Sequence, residues 1–582
     1  MYRQVLDPVA GSLGWSSLFA ALPLLALFVL LGVLRMRAWV AALLSLLVAI
    51  LVAVFVYPMP VGQSLLAASE GAVFGFFPIL WIVINAIWIY NMTVETGHFD
   101  ILRRSFATVS DDMRIQAVLI TFCFGALLEA LAGFGTPVAI TSVMLIALGF
   151  KPMKAATVAL VANTAPVAFG ALAVPITTLS TVTGLSQDDL GAMVGRQTPL
   201  VAIFVPLCLV YIVDRKRGIR DVWQAALLCG VVFGLAQFVA SNYVSVPLAD
   251  IFAALLSAGA VMLLVRVWNP AGTYVDTDED EPAGRRRSGV ATAERAGSGD
   301  TITRTSTGRG ASRRRGPRSD EPVLATGGQS VPDVPDTRRE IWRAYSPYLI
   351  IIAVFVIAQL PGIKSQIAKT TKIFHWPGLD IISASGKPST IPNFTFNWLA
   401  ASGTLLLIAG LITIPVLKIS AGRALTAYVK TYKQLWTAIV TVMAVLALAY
   451  VMNASGQTAT LGNWMAGAGG AFAVLSPILG WLGVAVTGSD TSSNSLFGAL
   501  QVSAAGKAGL DPLLMAASNS SGGVLGKMVS PQNLAIAAAA VGMAGREGEL
   551  FRKVIGWSIG LLAVMVVIVF LQSTAVLSWM VP

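Results

Sequence analysis

Three ionisable side chains, Glu129, Asp490 and Lys527, lie in stretches that are otherwise apolar. A charge at the centre of a membrane helix costs roughly 2.5–3.5 kcal/mol on insertion scales, so each of the three needs a partner or a task. Lys527 offers an electrostatic partner for an anionic solute. Glu129 and Asp490 offer proton acceptors beside a cavity, and Asp490 is flanked by the hydroxyls of Ser489, Thr491 and Ser492. A buried Asp–Lys or Glu–Lys pair could equally do no more than lock helices together. The residue types leave both readings open.

Both carboxylates sit beside interruptions. Glu129 precedes Gly133-Phe134-Gly135-Thr136-Pro137, and Asp490 lies within Thr487-Gly488-Ser489-Asp490-Thr491-Ser492-Ser493-Asn494. A broken helix exposes N–H groups at a positive end, which suits a carboxylate, and C=O groups at a negative end, which suits a cation. Gly133 and Gly135 permit unusual φ and close approach.

A second pair of interruptions is a repeat. Val161-Ala162-Asn163-Thr164-Ala165-Pro166 through Pro175 aligns with Ala517-Ser518-Asn519-Ser520-Ser521-Gly522 through Pro531. Asn163 falls on Asn519, Thr164 on Ser520, Gly170 on Gly526 and Pro175 on Pro531, at one offset of 356 residues (519 − 163). Paired, interrupted apolar segments in corresponding places of two halves point to a transporter's binding site. Asn163, Thr164, Asn519, Ser520 and Ser521 can hydrogen-bond a solute or the freed backbone. A single small residue here would read as helix packing; two matched clusters at constant spacing read as a site. The candidate substrate-binding set is therefore Gly133, Gly135, Thr136, Asn163, Thr164, Ser489, Thr491, Ser492, Asn519, Ser520, Ser521 and Lys527, with Asp490 and Glu129 as proton-coupling candidates.

The elements that must hold these residues are membrane helices. The 582-residue chain is 56% hydrophobic and 12% charged, against roughly 25% charged in soluble domains; its mean hydropathy is +0.75. The net charge of +11 suits cytoplasmic loops beside anionic lipid rather than nucleic acid. Cys123, Cys208 and Cys229 lie in apolar runs, and the two histidines, His98 and His375, are far apart. Neither a disulfide framework nor a metal or histidine-based catalytic site is indicated, and no cofactor is expected.

Apolar runs long enough for the ~30 Å hydrocarbon core are Leu18–Leu34, Ala38–Tyr57, Phe74–Val94, Ala155–Thr183, Pro199–Val213, Val222–Ala240, Leu248–Trp268, Tyr345–Gln359, Trp398–Leu417, Leu435–Met452, Pro512–Val541 and Val554–Trp579. Leu18–Leu34 reads as the first span, not a cleaved leader, because it lacks a cleavage site. Ile115–Phe150 and Phe472–Ala505 read as re-entrant hairpins: the arm Val138–Phe150 is about 20 Å long at 1.5 Å per residue, too short to span. The expected fold is an all-α polytopic membrane protein with about 12 crossings. Residues 1–213 form a first repeat, 214–268 two bridging helices, 269–343 a disordered cytoplasmic linker and 344–582 a second repeat.

Placing Arg35 and Arg37 inside also puts Arg103, Arg104, Arg114, Lys151, Lys154, Arg215–Arg217, Arg220, Lys418, Arg423, Lys430, Lys433, Arg546, Arg552 and Lys553 inside. That follows the positive-inside rule and puts both termini outside. Five crossings per half plus two bridging helices make the halves inverted, the architecture of alternating access. The tract 269–343, with its acidic cluster and Arg285–Arg287 and Arg313–Arg315, has too few apolar residues to bury a core.

Leu128-Glu129-Ala130-Leu131-Ala132-Gly133-Phe134-Gly135-Thr136-Pro137-Val138-Ala139-Ile140 and Ala162-Asn163-Thr164-Ala165-Pro166-Val167-Ala168-Phe169-Gly170-Ala171-Leu172 resemble the L-lactate permease family. The stretches Thr487–Asn494 and Ala517–Met528 resemble that family's second half. The resemblance spans nearly all of the membrane portion; the long Arg-rich linker departs from the family pattern. It implies proton-coupled uptake of small 2-hydroxy monocarboxylates, lactate and glycolate, across the plasma membrane, with a small anion, a proton and the lipid bilayer as partners. Ser518-Asn519-Ser520 also resembles the Ser-Asn-Thr tips of sodium-coupled carboxylate symporters. A sodium-coupled carboxylate or sulfate symporter is thus the nearest rival. A remote alternative, an intramembrane hydrolase built on Asp490 or on a Ser within Gly488–Asn494, lacks a second well-placed Asp in a comparable motif and any deep His. Deleting Asp276–Pro335 should leave uptake unchanged, measured as initial rate in proteoliposomes against the full chain; loss of rate in a folded deletion variant would give the linker a role.

Overall fold

The computed structural model describes residues 2–582 except 35, 108, 111, 132, 134, 269, 271, 273, 275–336, 385, 387, 390, 544 and 545. Most of the expected linker, with Arg285–Arg287 and Arg313–Arg315, lies outside the described residues, as do Arg35 of the orientation set and Phe134 of the first interruption.

The apolar runs are helices because lipid supplies no hydrogen-bond partners, so the backbone must satisfy its own. Among the described residues ten helices are long and apolar enough to cross a membrane, or eleven if Pro152–Ala162 and Val167–Thr183, bent by 64° at their break, form one span. Twelve were expected, and the difference has local causes. The continuous assignment Val205–Val239 joins two expected crossings, with non-helical backbone at Asp214, Arg215 and Val222 where they turn. Ser402–Val416 has 15 residues, and the expected run Pro512–Val541 divides into Pro512–Gly526 and Pro531–Ala540. Conversely, Met113–Leu131 of the first expected hairpin region, and Gln457–Thr487, which runs into the second, are long enough to count.

The first interruption is a hairpin: Met113–Leu131 leads to the break at Gly133 and Gly135, and Thr136–Ala147 packs back on it. The second joins Phe472–Thr487 to Asp490–Ala508 through Gly488 and Ser489. Gly133 and Gly488 hold positive φ of 52° and 76°, a region that a side chain disfavours.

The repeated pair diverges in a way its alignment hides. In the first copy the helix stops at Ala162, and Asn163–Pro166 form turns. In the second copy Pro512–Gly526 runs unbroken through Asn519, Ser520 and Ser521, and the break falls at Lys527–Ser530. The expected interruption at Ser520 is therefore corrected. The cause is one residue: Pro166 removes an N–H and crowds the preceding turn, whereas Gly522, its counterpart, leaves the helix intact.

Two sets of loops gather separately. Tyr2–Arg3 pairs in parallel with Ile381–Ile382, Tyr2 Oη donates to the carbonyls of Tyr57 and Ser455, Lys364 pairs with Asp188 at 4.0 Å, and Arg196 Nη1 donates to Met580 O. The short antiparallel pair Lys372–His375 with Asn393–Phe396 belongs to the same set and adds strand to a chain expected to be all helix. The other set centres on buried Arg114, which bonds Asp112, Asp214, Asp221 and the carbonyl of Gly272. It also includes the Arg423–Glu95 pair at 3.1 Å and the Ser105–Tyr345 bond at 3.0 Å. The helix Arg338–Gln359 starts inside the stretch expected to be linker, because Thr337 and Glu340 form a capping box that satisfies its first N–H groups.

The halves interleave. Val61–Phe74 packs on Ala421–Ser455, where a Cβ on Gly71 would stand 2.6 Å from Leu446 O. Phe472–Thr487 packs on Pro512–Gly526 with Gly480 against Asn519 O and Gly522 against Pro477 O, both too close for a side chain. Gly480→Ala should therefore destabilise the protein by ~1–3 kcal/mol, the usual penalty of overpacking, read as a lowered Tm in detergent; an unchanged Tm would mean the two helices can separate freely.

Candidate functional site

A cavity of about 50 Å³ opens where the two halves meet. The first half lines it with Glu129, Gly133, Val167, Gly170, Ala171, Val174 and Pro175, and the second with Gly488, Ser489, Asp490, Thr491, Lys527 and Gln532. That space holds a few water molecules at ~10–15 Å³ each.

Its central contact is an ion pair. Lys527 Nζ donates to Glu129 Oε1 at 2.5 Å, joining residues 398 apart in sequence, with both side chains buried. Glu129 comes from the buried helix Gly125–Leu131 just before the first hairpin tip, and Lys527 from the break of the second repeated helix. Glu129 Oε2 has no hydrogen-bond partner among the described residues. Gly170 makes room for this carboxylate, since a Cβ there would stand 2.9 Å from Oε1.

Asp490 faces the same cavity from the first turn of Asp490–Ala508, behind the N-cap Ser489, whose Oγ accepts from Ser492 N. A helix N-terminus favours negative charge there. Oδ2 accepts from Ser520 Oγ at 2.5 Å and from Asn494 Nδ2 at 3.3 Å, while Oδ1 has no partner among the described residues. Asn494 Nδ2 also reaches Pro175 O across the halves at 3.1 Å. Behind it, Asn519 Nδ2 donates to Asn494 Oδ1 and Gln501 Nε2 donates to Asn519 Oδ1. This chain of amides fixes Asp490 in place.

Of the sequence-derived candidates, the structure brings Glu129, Gly133, Ser489, Asp490, Thr491 and Lys527 to the cavity. Asn519, Ser520 and Ser492 stand behind it as supports of Asp490 and its helix. Gly135 packs against Ile536 and Asn533, and Thr136 starts the returning helix, its N–H bonded to Gly133 O. Thr164 turns its hydroxyl to Val161 O and borders a second, smaller space with Ala165 and Thr198. Asn163 and Ser521 are buried off the cavity with side-chain atoms lacking partners among the described residues.

The residues that sequence reasoning missed are Val167, Gly170, Ala171, Val174, Pro175, Gly488 and Gln532. Gly170 and Pro175 were visible as repeat positions and Gly488 as part of an interruption. Ala171 was not visible: Ala171, Leu172 and Ala173 adopt a left-handed turn with φ of 45°, 56° and 60°, at roughly 1–2 kcal/mol per residue. No residue type announces that. Strain of this kind persists where surrounding packing over-determines it, commonly beside a site.

The chain matches the family model for L-lactate permease over residues 16–576. It is 39% identical to the L-lactate permease of Bacillus subtilis (strain 168), covering 100% of both chains. It is likewise 39% identical to the glycolate permease GlcA of Escherichia coli (strain K12), covering 98% of each. Both relatives are named permeases, transporters rather than enzymes. A distant likeness, with TM-score 0.43 and 13% identity over 87% of each chain, links it to the YdaH transporter of Alcanivorax borkumensis.

Removing one member of a buried ion pair leaves an uncompensated charge, a loss of ~3–5 kcal/mol, whereas replacing both is often neutral. Glu129→Gln should therefore lower Tm more than the double substitution Glu129→Gln with Lys527→Met. Additive losses in the double-mutant cycle would mean the pair does not form.

Proposed function

The chain belongs to the L-lactate permease family, and from that premise we propose that it takes up L-lactate and similar short 2-hydroxy monocarboxylates such as glycolate by proton symport with alternating access. The observation that carries this reading is the Glu129–Lys527 pair on the cavity wall. Lys527 is the cation an acid anion would seek there, and its present partner is itself a titratable carboxylate. A substrate carboxylate arriving at Lys527 displaces Glu129. Glu129 then stands buried without its counter-ion, a costly state that taking up a proton relieves. Substrate binding and proton binding thus favour each other at one pair of residues.

Energetics favour the same arrangement. Pulling an anion into a negative cell costs about 2.3 kcal/mol per 100 mV; one accompanying proton cancels that cost and adds the pH gradient. Asp490 is the second proton-coupling candidate, with Ser489 and Thr491 placed to bond a hydroxyl or carboxylate oxygen of the solute. Gly133, Gly488 and the left-handed turn at Ala171 let backbone come close to a small ligand. Two halves of opposite sense, each bringing a hairpin and a broken helix to this cavity, supply the alternating access. The protein sits in the cell membrane with the Arg114 and Arg423 loops cytoplasmic and both termini outside.

Proteoliposomes given an inward proton gradient should accumulate labelled L-lactate, and a sodium gradient alone should give none; the reverse result would assign sodium coupling. Lys527→Gln should raise the apparent KM by about 10–100-fold, the loss of one charge-assisted hydrogen bond of ~1.5–3 kcal/mol. Asp490→Asn should abolish accumulation, and near-normal accumulation would remove Asp490 from coupling.

A further inference from the structure

The cavity wall carries a polar side chain to which no step above gives a task. Gln532 lies in the first turn of Pro531–Ala540 and lines the cavity together with Lys527 and Asp490. Ser489 is half-buried, Gln532 is exposed and the other lining residues are buried. Gln532 therefore stands where the cavity opens. Its side-chain amide makes no hydrogen bond among the described residues. An amide of this kind offers an acceptor oxygen and two N–H donors, and all of them are free for a solute.

Two sets of contacts fix where that amide stands. The turn that carries it is tied to the break that carries Lys527. Asn533 Nδ2 donates to Lys527 O at 3.2 Å and to Ser530 Oγ at 2.9 Å, and Ser530 Oγ donates to Lys527 O at 2.9 Å. Both Ser530 and Asn533 are buried, so water does not compete for these bonds. The Gln532 side chain itself lies against the tip of the second hairpin. A Cβ on Gly488 would stand 2.7 Å from Gln532 Oε1 and 3.1 Å from Gln532 Cβ, so only a glycine at that tip leaves the amide its place. Lys527 and Gln532 are thus a cation and a neutral amide, held on one tied turn and lining one small space.

A 2-hydroxy monocarboxylate differs from a plain short carboxylate by a single hydroxyl beside the carboxylate. A cation serves both acids alike, whereas a polar group bonded to the hydroxyl favours the acid that has one. We propose that Gln532 is the specificity-determining residue of this cavity, hydrogen-bonding the 2-hydroxyl of the solute while Lys527 takes its carboxylate. Oε1 accepts from the hydroxyl, and Nε2 can donate to the hydroxyl oxygen. The assignment rests on the reading of this cavity as an uptake site for 2-hydroxy monocarboxylates.

Propionate keeps the carbon skeleton and carboxylate of L-lactate and lacks the hydroxyl; acetate stands in the same relation to glycolate. In proteoliposomes, Gln532→Met should lower the ratio of kcat/KM for L-lactate to that for propionate by about 3–10-fold, the worth of one neutral hydrogen bond. The loss should appear as a higher KM for L-lactate, with propionate uptake within about twofold of wild type. The glycolate-to-acetate ratio should fall by a similar factor. Both acids of a pair are measured on one preparation, so the ratio does not depend on how much protein is folded. An unchanged ratio in Gln532→Met would overturn the assignment, as would a fall seen only in Ser489→Ala or Thr491→Val, which would give the hydroxyl to the second hairpin. Wild-type protein that takes up lactate and propionate equally well would also overturn it. Failure of the uptake reading shows separately, as wild-type protein that takes up none of the four acids.

Discussion

A lysine and a glutamate, buried together where two halves of the chain meet, set the terms for everything around them. Either charge alone at that depth is costly, so pairing favours bringing together the segments that carry them. Pairing satisfies Lys527 and leaves the second oxygen of Glu129 buried without a hydrogen-bond partner among the described residues. In the proposed cycle the same contact is the one a small anion takes over.

The rest of the architecture serves that arrangement through close packing. The helices behind the cavity approach at glycines, Gly480 on Asn519 and Gly522 on Pro477, because between membrane helices association rests on van der Waals contact and hydrogen bonds rather than hydrophobic drive. With Asn519 so confined, its amide can hold Asn494, and Asn494 together with Ser520 holds Asp490. Backing of this kind holds the carboxylate in one orientation. The cost is carried where the first repeated helix breaks: Ala171, Leu172 and Ala173 sit in a left-handed turn that ordinary residues avoid.

The two aligned segments, Val161–Pro175 and Ala517–Pro531, break at different places. Both keep a glycine at Gly170 or Gly526 and a proline at Pro175 or Pro531, so both break before the proline. Pro166 makes the first copy break earlier, and Gly522 lets the second continue. As a result Lys527 falls in the second break, while the same stretch of the first copy is the left-handed turn. One copy contributes a charge to the cavity and the other contributes bare backbone. A duplicated element has become two unlike walls of one chamber.

Much was legible from residues alone: the membrane class from composition, the two hairpins from Gly-rich interruptions in apolar runs, and Glu129, Asp490 and Lys527 from the cost of charge in lipid. These follow from local chemistry, which needs no partner to be read. Which of those residues face the cavity and which stand behind it was settled by tertiary structure. Asn519 and Ser520 carry the same side chains as a binding element would, yet they lie within an intact helix and turn toward Asp490. Sequence reports what a side chain costs to bury; only the folded chain decides what it is buried against.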